Sequence, residues 1–265
     1  MPERENDQVT GPGGELERIV GFSRYLEERC SERIFSSFLA TVLMCESLPL
    51  VWDRNYLRVE DGGASASELA SLADRVLGGA GLSHRRIFTD SPEIADRLAP
   101  QFKSLGWKAQ QLLVMIYNGQ VEEETLPLVA EVEIDEMLPF WEEENRHYHP
   151  ESPDLVRQLG EQNLLIAGRI DSQYFARRLD GRVVSACQVF SRGATAQVES
   201  IGTLPDYRNR GLASSVIRRA VAEAVRTGHD LVWLLAEEDD WPKALYAKLG
   251  FNPVGHFCAF RRGTS

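Results

Sequence analysis

Between residues 198 and 214 a run of β-forming residues passes through a Leu204, Pro205, Asp206 turn and opens a long helical pattern at Arg208. Gly211 and Ala213 fall where that pattern begins. The first amides of a helix have no intrahelical acceptor and lie at the positive end of its dipole. Side chains this small leave those amides open, so a phosphate can approach closely. Residues 208–214 therefore form a candidate anion cradle. It is neither of two familiar phosphate motifs, because Gly-x4-Gly-Lys-Ser/Thr and Gly-x-Gly-x-x-Gly are both missing from this stretch.

The flanking elements have to hold that cradle still. The helix, expected over 208–226, carries Leu212, Val216, Ile217, Ala220, Val221 and Ala224 on one face. This stripe packs on a sheet, while Arg218, Arg219 and Glu223 are expected toward water. A strand follows at 231–235, and Asp240 ahead of Pro242 reads as the N-cap of a short helix. Upstream, strands are expected near 172–179, 182–190 and 194–203, with Asp180-Gly181 as a two-residue hairpin turn. Residues 128–134 read as an opening strand, and 135–163 as helical pieces broken at 147–153.

Arg208, Gly211 and Ala213 meet the pattern Arg/Gln-x-x-Gly-x-Gly/Ala, and Ala244, Leu245, Tyr246, Ala247, Lys248, Leu249, Gly250 and Phe251 follow at a matching distance. In both respects the chain resembles the GCN5-related N-acetyltransferases, the GNAT superfamily. The resemblance covers about 128–262. It implies an α/β (α+β) fold with a mixed, mostly antiparallel twisted sheet flanked by helices. It further implies that acetyl-CoA is the co-substrate, with its pantetheine arm and acetyl group against Ile201, Gly202 and Thr203. The pyrophosphate would lie on the amides of Asn209, Arg210, Gly211, Leu212, Ala213 and Ser214, with Arg208 adding charge or packing the helix start. Tyr246 stands where many members place the phenol that protonates the departing thiolate; its bland role is an aromatic core residue. Glu199 takes the ammonium proton, usually through water, or is a solvent-facing strand glutamate. Relatives often place an Asn where this chain has Asp239, so that contact is not inherited.

The N-terminal half repeats the order strand–helix–strand. Ser65 and Glu68 form a capping-box pattern, Ser91 and Pro92 start a second helix, and Leu105, Gly106 and Trp107 echo Leu249, Gly250 and Phe251. No Arg-x-x-Gly-x-Gly/Ala string occurs there, so this half reads as a degenerate copy that shapes the acceptor cleft or serves structure. The expected division is a disordered tail over 1–15, a degenerate domain over 16–120 and a catalytic domain over 128–265, with an acidic, Pro-containing linker at 119–127. Trp52, Asp53, Arg54 and Asn55 form a distinctive cluster with no assigned chemistry, and Glu142 to Glu144 read as a solvated face.

Composition narrows the partners. A net charge of −11 argues against a nucleic-acid backbone. No apolar run spans a bilayer, and the polar, acidic N-terminus is unlike a secretory signal, which points to a cytoplasmic protein. Four scattered cysteines read as free thiols, and His147 with His149 lacks a third ligand, so no metal site is expected. The function these readings imply is transfer of an acetyl group, directly and in a ternary complex, to a primary amine of a small molecule or peptide. Another acyl-CoA donor, or a non-catalytic acyl-CoA-binding module, is the alternative. Monomer and homodimer both remain open.

Overall fold

In the computed structural model, residues 12–60, 62–121 and 128–263 are described, the side chains of residues 12 and 13 excepted. Among them one eleven-stranded sheet runs through the whole molecule. The N-terminal half contributes β1 (Arg33–Ser36), β2 (Thr41–Met44), β3 (Tyr56–Arg58), β4 (His84–Thr89) and β5 (Lys108–Tyr117). From the C-terminal half come β6 (Ala130–Val132), β7 (Asp171–Leu179), β8 (Arg182–Arg192), β9 (Thr195–Thr203), β10 (Leu231–Glu237) and β11 (Phe251–Gly263). Their order is β1-β2-β3-β4-β11-β5-β10-β9-β8-β7-β6.

Two parallel pairs, β3 with β4 and β9 with β10, interrupt an otherwise antiparallel sheet. Each half repeats the same pattern around its parallel pair. The last strand of each half is also exchanged: β11 lies between β4 and β5, and β5 lies between β10 and β11. Ten residues of β11 are registered against β5, from Phe251↔Tyr117 to Arg261↔Lys108. Neither half therefore completes its own sheet, and the strands that join them form the centre of the molecule.

Helices cover both faces. α2 (Ala66–Ala73) begins at Ser65, whose hydroxyl accepts from the Glu68 amide while the Glu68 carboxylate accepts from the Ser65 amide. α3 (Pro92–Ser104) is capped by Ser91 and has Pro92 in its first turn. Both starts agree with the sequence signals. Beneath them Leu57, Leu69, Leu77, Ile87, Leu98 and Phe102 are fully buried. In the other half, α6 (Leu212–Arg226) buries Val216, Ile217, Ala220, Val221 and Ala224 against β8, β9 and β10. Each large side chain removed from water in this way contributes about 1.5–3 kcal/mol. The opposite face carries α1 (Pro12–Arg29), α4 (Ile134–Tyr148) and α5 (Pro153–Ala167). α1 starts at Pro12, inside the stretch expected as a tail, and residues 1–11 lie outside the described residues.

One expectation for α6 is corrected. Glu223 does not face water: it is 5% exposed and is held by Arg219 at 2.7 Å and by Arg226. Hydrogen bonds from these two guanidinium groups, Arg226 first, hold its carboxyl down to about 2 despite burial.

Candidate functional site

β9 and β10 pair over three rungs, Leu231↔Thr195, Val232↔Ala196 and Trp233↔Gln197, and then part. The cause lies in β9. Its register on β8 slips between Gln188↔Glu199 and Ala186↔Gly202, and Ser200 takes a φ of 49° at the slip. Such a bulge bends its strand and increases the local twist. The result is a wedge whose walls are the ends of β9 and β10.

Beyond the wedge the chain makes a single tight turn at Pro205–Tyr207 and enters α6. Helical geometry begins at Leu212, four residues later than the sequence pattern placed it. Asn209 and Gly211 both lie in the left-handed region, at φ 60° and 74°. Gly211 is the N-cap and offers no side chain to the helix start. The first turn-closing bond is from the Ser215 amide to the Gly211 carbonyl, so the amides of Leu212, Ala213 and Ser214 meet no acceptor among the described residues. A Cβ placed on Gly211 would meet nothing within 4 Å. The space before these amides is open, as an anion cradle requires.

Arg208 is occupied elsewhere. Its Nε donates to the Thr203 carbonyl at 3.1 Å and its Nη2 to the Tyr148 hydroxyl at 2.7 Å, tying the end of β9 to α4. Arg210 folds back on the Asp206 carbonyl.

The structure brings Tyr246 and Glu199 to the same wedge. Tyr246, on α7 (Pro242–Lys248), is 8% exposed and packs its ring on Phe251. Its hydroxyl makes no hydrogen bond among the described residues. Burial pushes its pKa up, and the nearby charges of Glu199, Asp240 and Cys187 push the same way. The phenol therefore keeps its proton throughout the neutral range. Glu199 accepts from Gln197 Nε2 at 2.7 Å and from the Ser200 amide at 3.2 Å. Burial raises its carboxyl above the ordinary range, more than the Ser200 amide lowers it. Asp240, expected as the N-cap of α7, instead accepts from the Trp241 amide at 2.7 Å; Trp241 is the N-cap residue and makes no side-chain cap. The chain turns one residue later than the Asp-before-Pro spacing suggested.

Two features went unread in the sequence. Glu144 does not belong to a solvated face. Its carboxylate lies against Gly202, in the space that a Cβ there would take. No described residue hydrogen-bonds to it, and burial pushes it up to about 7 against the opposing charge of Arg208. Glu142 and Glu143 do face outward, toward Arg146 and Arg182. The second feature is a cavity of about 500 Å³ between α1, α5 and the central strands, with Glu199 and Ser200 in its wall. Asp53 and Arg54 line it, which gives the Trp52-to-Asn55 cluster a place. Asn55 is fully buried and fixes that turn by accepting from the Cys45 amide and donating to Leu48 and Val51 carbonyls.

All four cysteines are free and buried. Burial pushes the Cys187 thiol far up and Cys258 up to about 11, so neither supplies a thiolate. Among the described residues no group of three His, Cys, Asp or Glu is placed to hold a metal, and no helix is long and apolar enough to cross a membrane.

Residues 134–251 match the Acetyltransferase (GNAT) family. This region, with its bulged β9, open wedge and uncapped α6, is a GNAT domain. A mycothiol acetyltransferase of Clavibacter sepedonicus is 33% identical over 92 residues, which span 34% of this chain and only 30% of that protein. Two solved structures share the fold across both halves. One is a conserved protein of unknown function from Staphylococcus epidermidis, with a TM-score of 0.68 at 12% identity, covering 89% of this chain and 95% of that one. The other is a tandem GNAT protein from the clavulanic acid biosynthesis pathway, with a TM-score of 0.54 at 14% identity, covering 79% and 76%. The tandem reading of the two halves agrees with the repeated topology.

Proposed function

We propose that the protein is an N-acetyltransferase that moves the acetyl group of acetyl-CoA to a primary amine of a small molecule or peptide. The observation that carries this reading is the open wedge: three unbonded amides at Leu212, Ala213 and Ser214, clear space over Gly211, and an unpartnered phenol at Tyr246 on one side of it. These are the donors that a pyrophosphate and a departing thiolate require. The family match and the partial likeness to a mycothiol acetyltransferase support an acetyl donor and leave the acceptor unnamed.

Bound acetyl-CoA would supply the activated acyl group. Asn209 to Ser214 hold the pyrophosphate on backbone amides, with Gly211 admitting it. Ile201, Gly202 and Thr203, on the stretch of β9 that has left β10, position the pantetheine arm and acetyl group. Glu199, with a raised carboxyl and a place in the cavity wall, removes the ammonium proton and frees the nitrogen lone pair for attack. Tyr246 keeps its proton until the departing thiolate takes it. Transfer is direct, since the buried thiols offer no acyl-accepting nucleophile. The N-terminal half is a degenerate copy of the catalytic one, closed at its own cradle.

Calorimetric titration with acetyl-CoA, CoA and a longer acyl-CoA tests the reading. Micromolar binding is expected, weakened at least about tenfold in Gly211→Val, where a β-branched residue must hold a positive φ and project into the cradle. Absence of binding by all three ligands would sink the transferase assignment. Preference for the longer donor would rename the acyl group.

A further inference from the structure

The 500 Å³ cavity is lined by residues of both halves, and its wall holds buried polar atoms that no described residue satisfies. Arg86 Nε, Trp233 Nε1 and Gln197 Oε1 are all buried without a hydrogen-bond partner, and all three residues line it. Buried polar groups are nearly always paired, so three orphans in one cavity point to a polar occupant. Resting on the transferase reading, that occupant is the acceptor, because Glu199 stands in the same wall.

The charges along the cavity say what kind of acceptor. Arg86 on β4 and Arg261 on β11 are directly opposed in the antiparallel register. Like charges facing each other across strands are unfavourable unless something lies between them. Arg86 is only 7% exposed, with its guanidinium over the Tyr56 ring at 5.5 Å. One of its terminal nitrogens meets Asp53, an acid on the exposed turn, which leaves Nε free. Arg261 has no ion pair with any described acid. Arg54, also in the wall, has none either; its Nε donates to Gln162 at 3.2 Å. Of the acids in the wall, Glu27 is held by Arg58 at 2.6 Å and Glu237 accepts from Gln110. Burial, and then the charge of Arg261, push the Arg86 guanidinium down to about 10, against the opposing charge of Glu27.

We propose that this cavity selects amines that carry an anionic group, a carboxylate or a phosphate, at the end remote from the nitrogen, with Arg86 and Arg261 holding the anion and Glu199 facing the amine. The two ends lie on β11 and β9, three strand spacings apart, or roughly 14 Å across the sheet. That span suits a short peptide or an extended amphoteric amine better than a free amino acid. The N-terminal half, through Arg86 and the 52–54 turn, then supplies specificity to a reaction carried out in the other half.

Acetyl transfer from acetyl-CoA should be measured with peptides of two to four residues as free acids and as C-terminal amides. A second arm sets ω-aminoalkyl phosphates against the matching amino alcohols, which separates the two anion types. The anionic member of each productive pair is expected to be at least about tenfold better in kcat/KM, since a site built for a charged partner rejects the analogue lacking it. In Arg261→Gln, a half-buried site, the KM for the anionic acceptor should rise about tenfold with little change in kcat, because the contact is made equally before and during reaction. Arg86→Lys, which keeps the charge but removes Nε, should give a smaller loss, with thermal unfolding confirming that each variant folds. Neutral acceptors serving as well as anionic ones would overturn the proposal. So would a preference that survives Arg261→Gln, or failure of every anionic amine with a protein that binds acetyl-CoA. Loss of acetyl-CoA binding itself would instead strike the transferase reading.

Discussion

Each half holds one parallel strand pair, β9 with β10 and β3 with β4, and the residues around the two pairs differ in kind. In the C-terminal half α6 starts at Gly211 with its first amides unbonded; in the N-terminal half α2 starts at Ser65, which closes its own amides with a reciprocal capping box. Gln101 adds a further cap by accepting from the Ala66 amide at 3.1 Å. Two residues beyond the last parallel rung, Glu199 leans on the neutral amide of Gln197, whereas Glu60 is bound at 2.7 Å by the Arg58 guanidinium. Four residues before the closing glycine of each half stands an aromatic ring. At Tyr246 it carries a hydroxyl without a partner; at Phe102 it carries none and packs between Trp107 and Phe260. The groups proposed to serve a CoA thioester are open on one side and matched by self-satisfied or apolar groups on the other.

That contrast can be broken residue by residue. Tyr246→Phe puts in the C-terminal half the ring that Phe102 supplies in the other and should lower kcat on the order of 100-fold, with acetyl-CoA affinity within about twofold. Equal kcat would remove the phenol from the reaction and reduce Tyr246 to the packing role of Phe102. Next in size is the carboxylate. A general base must be ionised, so kcat/KM should rise with pH through a limb lying above the ordinary carboxylate range, because burial raises Glu199. Glu199→Gln should depress the plateau on the order of 100-fold or somewhat less and abolish that limb. Glu144→Gln should retain the limb; its loss there would move the proton to Glu144, whose carboxyl lies at about 7 on the other side of the bulge. The smallest effect is expected at the capped start of α2. Ser65→Ala should cost about 1 kcal/mol of stability in denaturant unfolding and leave acetyl-CoA binding untouched. A drop in binding would mean that the N-terminal half is coupled to the cofactor after all.

The wedge was readable where it depends on local chemistry. Gly211, Ala213 and the Tyr246 string sit at spacings set by a helix start and a short helix, and both helices formed, α6 four residues later than expected. The capping box at Ser65 and the Ser91-Pro92 start were equally legible, because a cap is made by residues three apart in sequence. Glu144 was not. A Glu in an acidic run looks solvated, and only the close approach of Gly202, a strand distant in sequence, makes it half-buried. Glu223 was missed for the related reason that Arg219 and Arg226 allow it to be buried. Asp240 failed by one residue, the usual slack of a helix boundary.

Sequence alone determined the family-bearing pieces: a helix whose start must stay open, a phenol ahead of a Gly-Phe closure, and a repeated strand–helix–strand order in the first half. These follow from short-range backbone sterics and hydrogen bonding, which residue type dictates. Tertiary structure decided that β5 and β11 change places, and therefore that Arg86, Arg261 and Glu199 share one cavity. No local preference encodes which strand a β-strand pairs with. That choice belongs to the packing of the whole sheet, and here it turns two similar halves into one site.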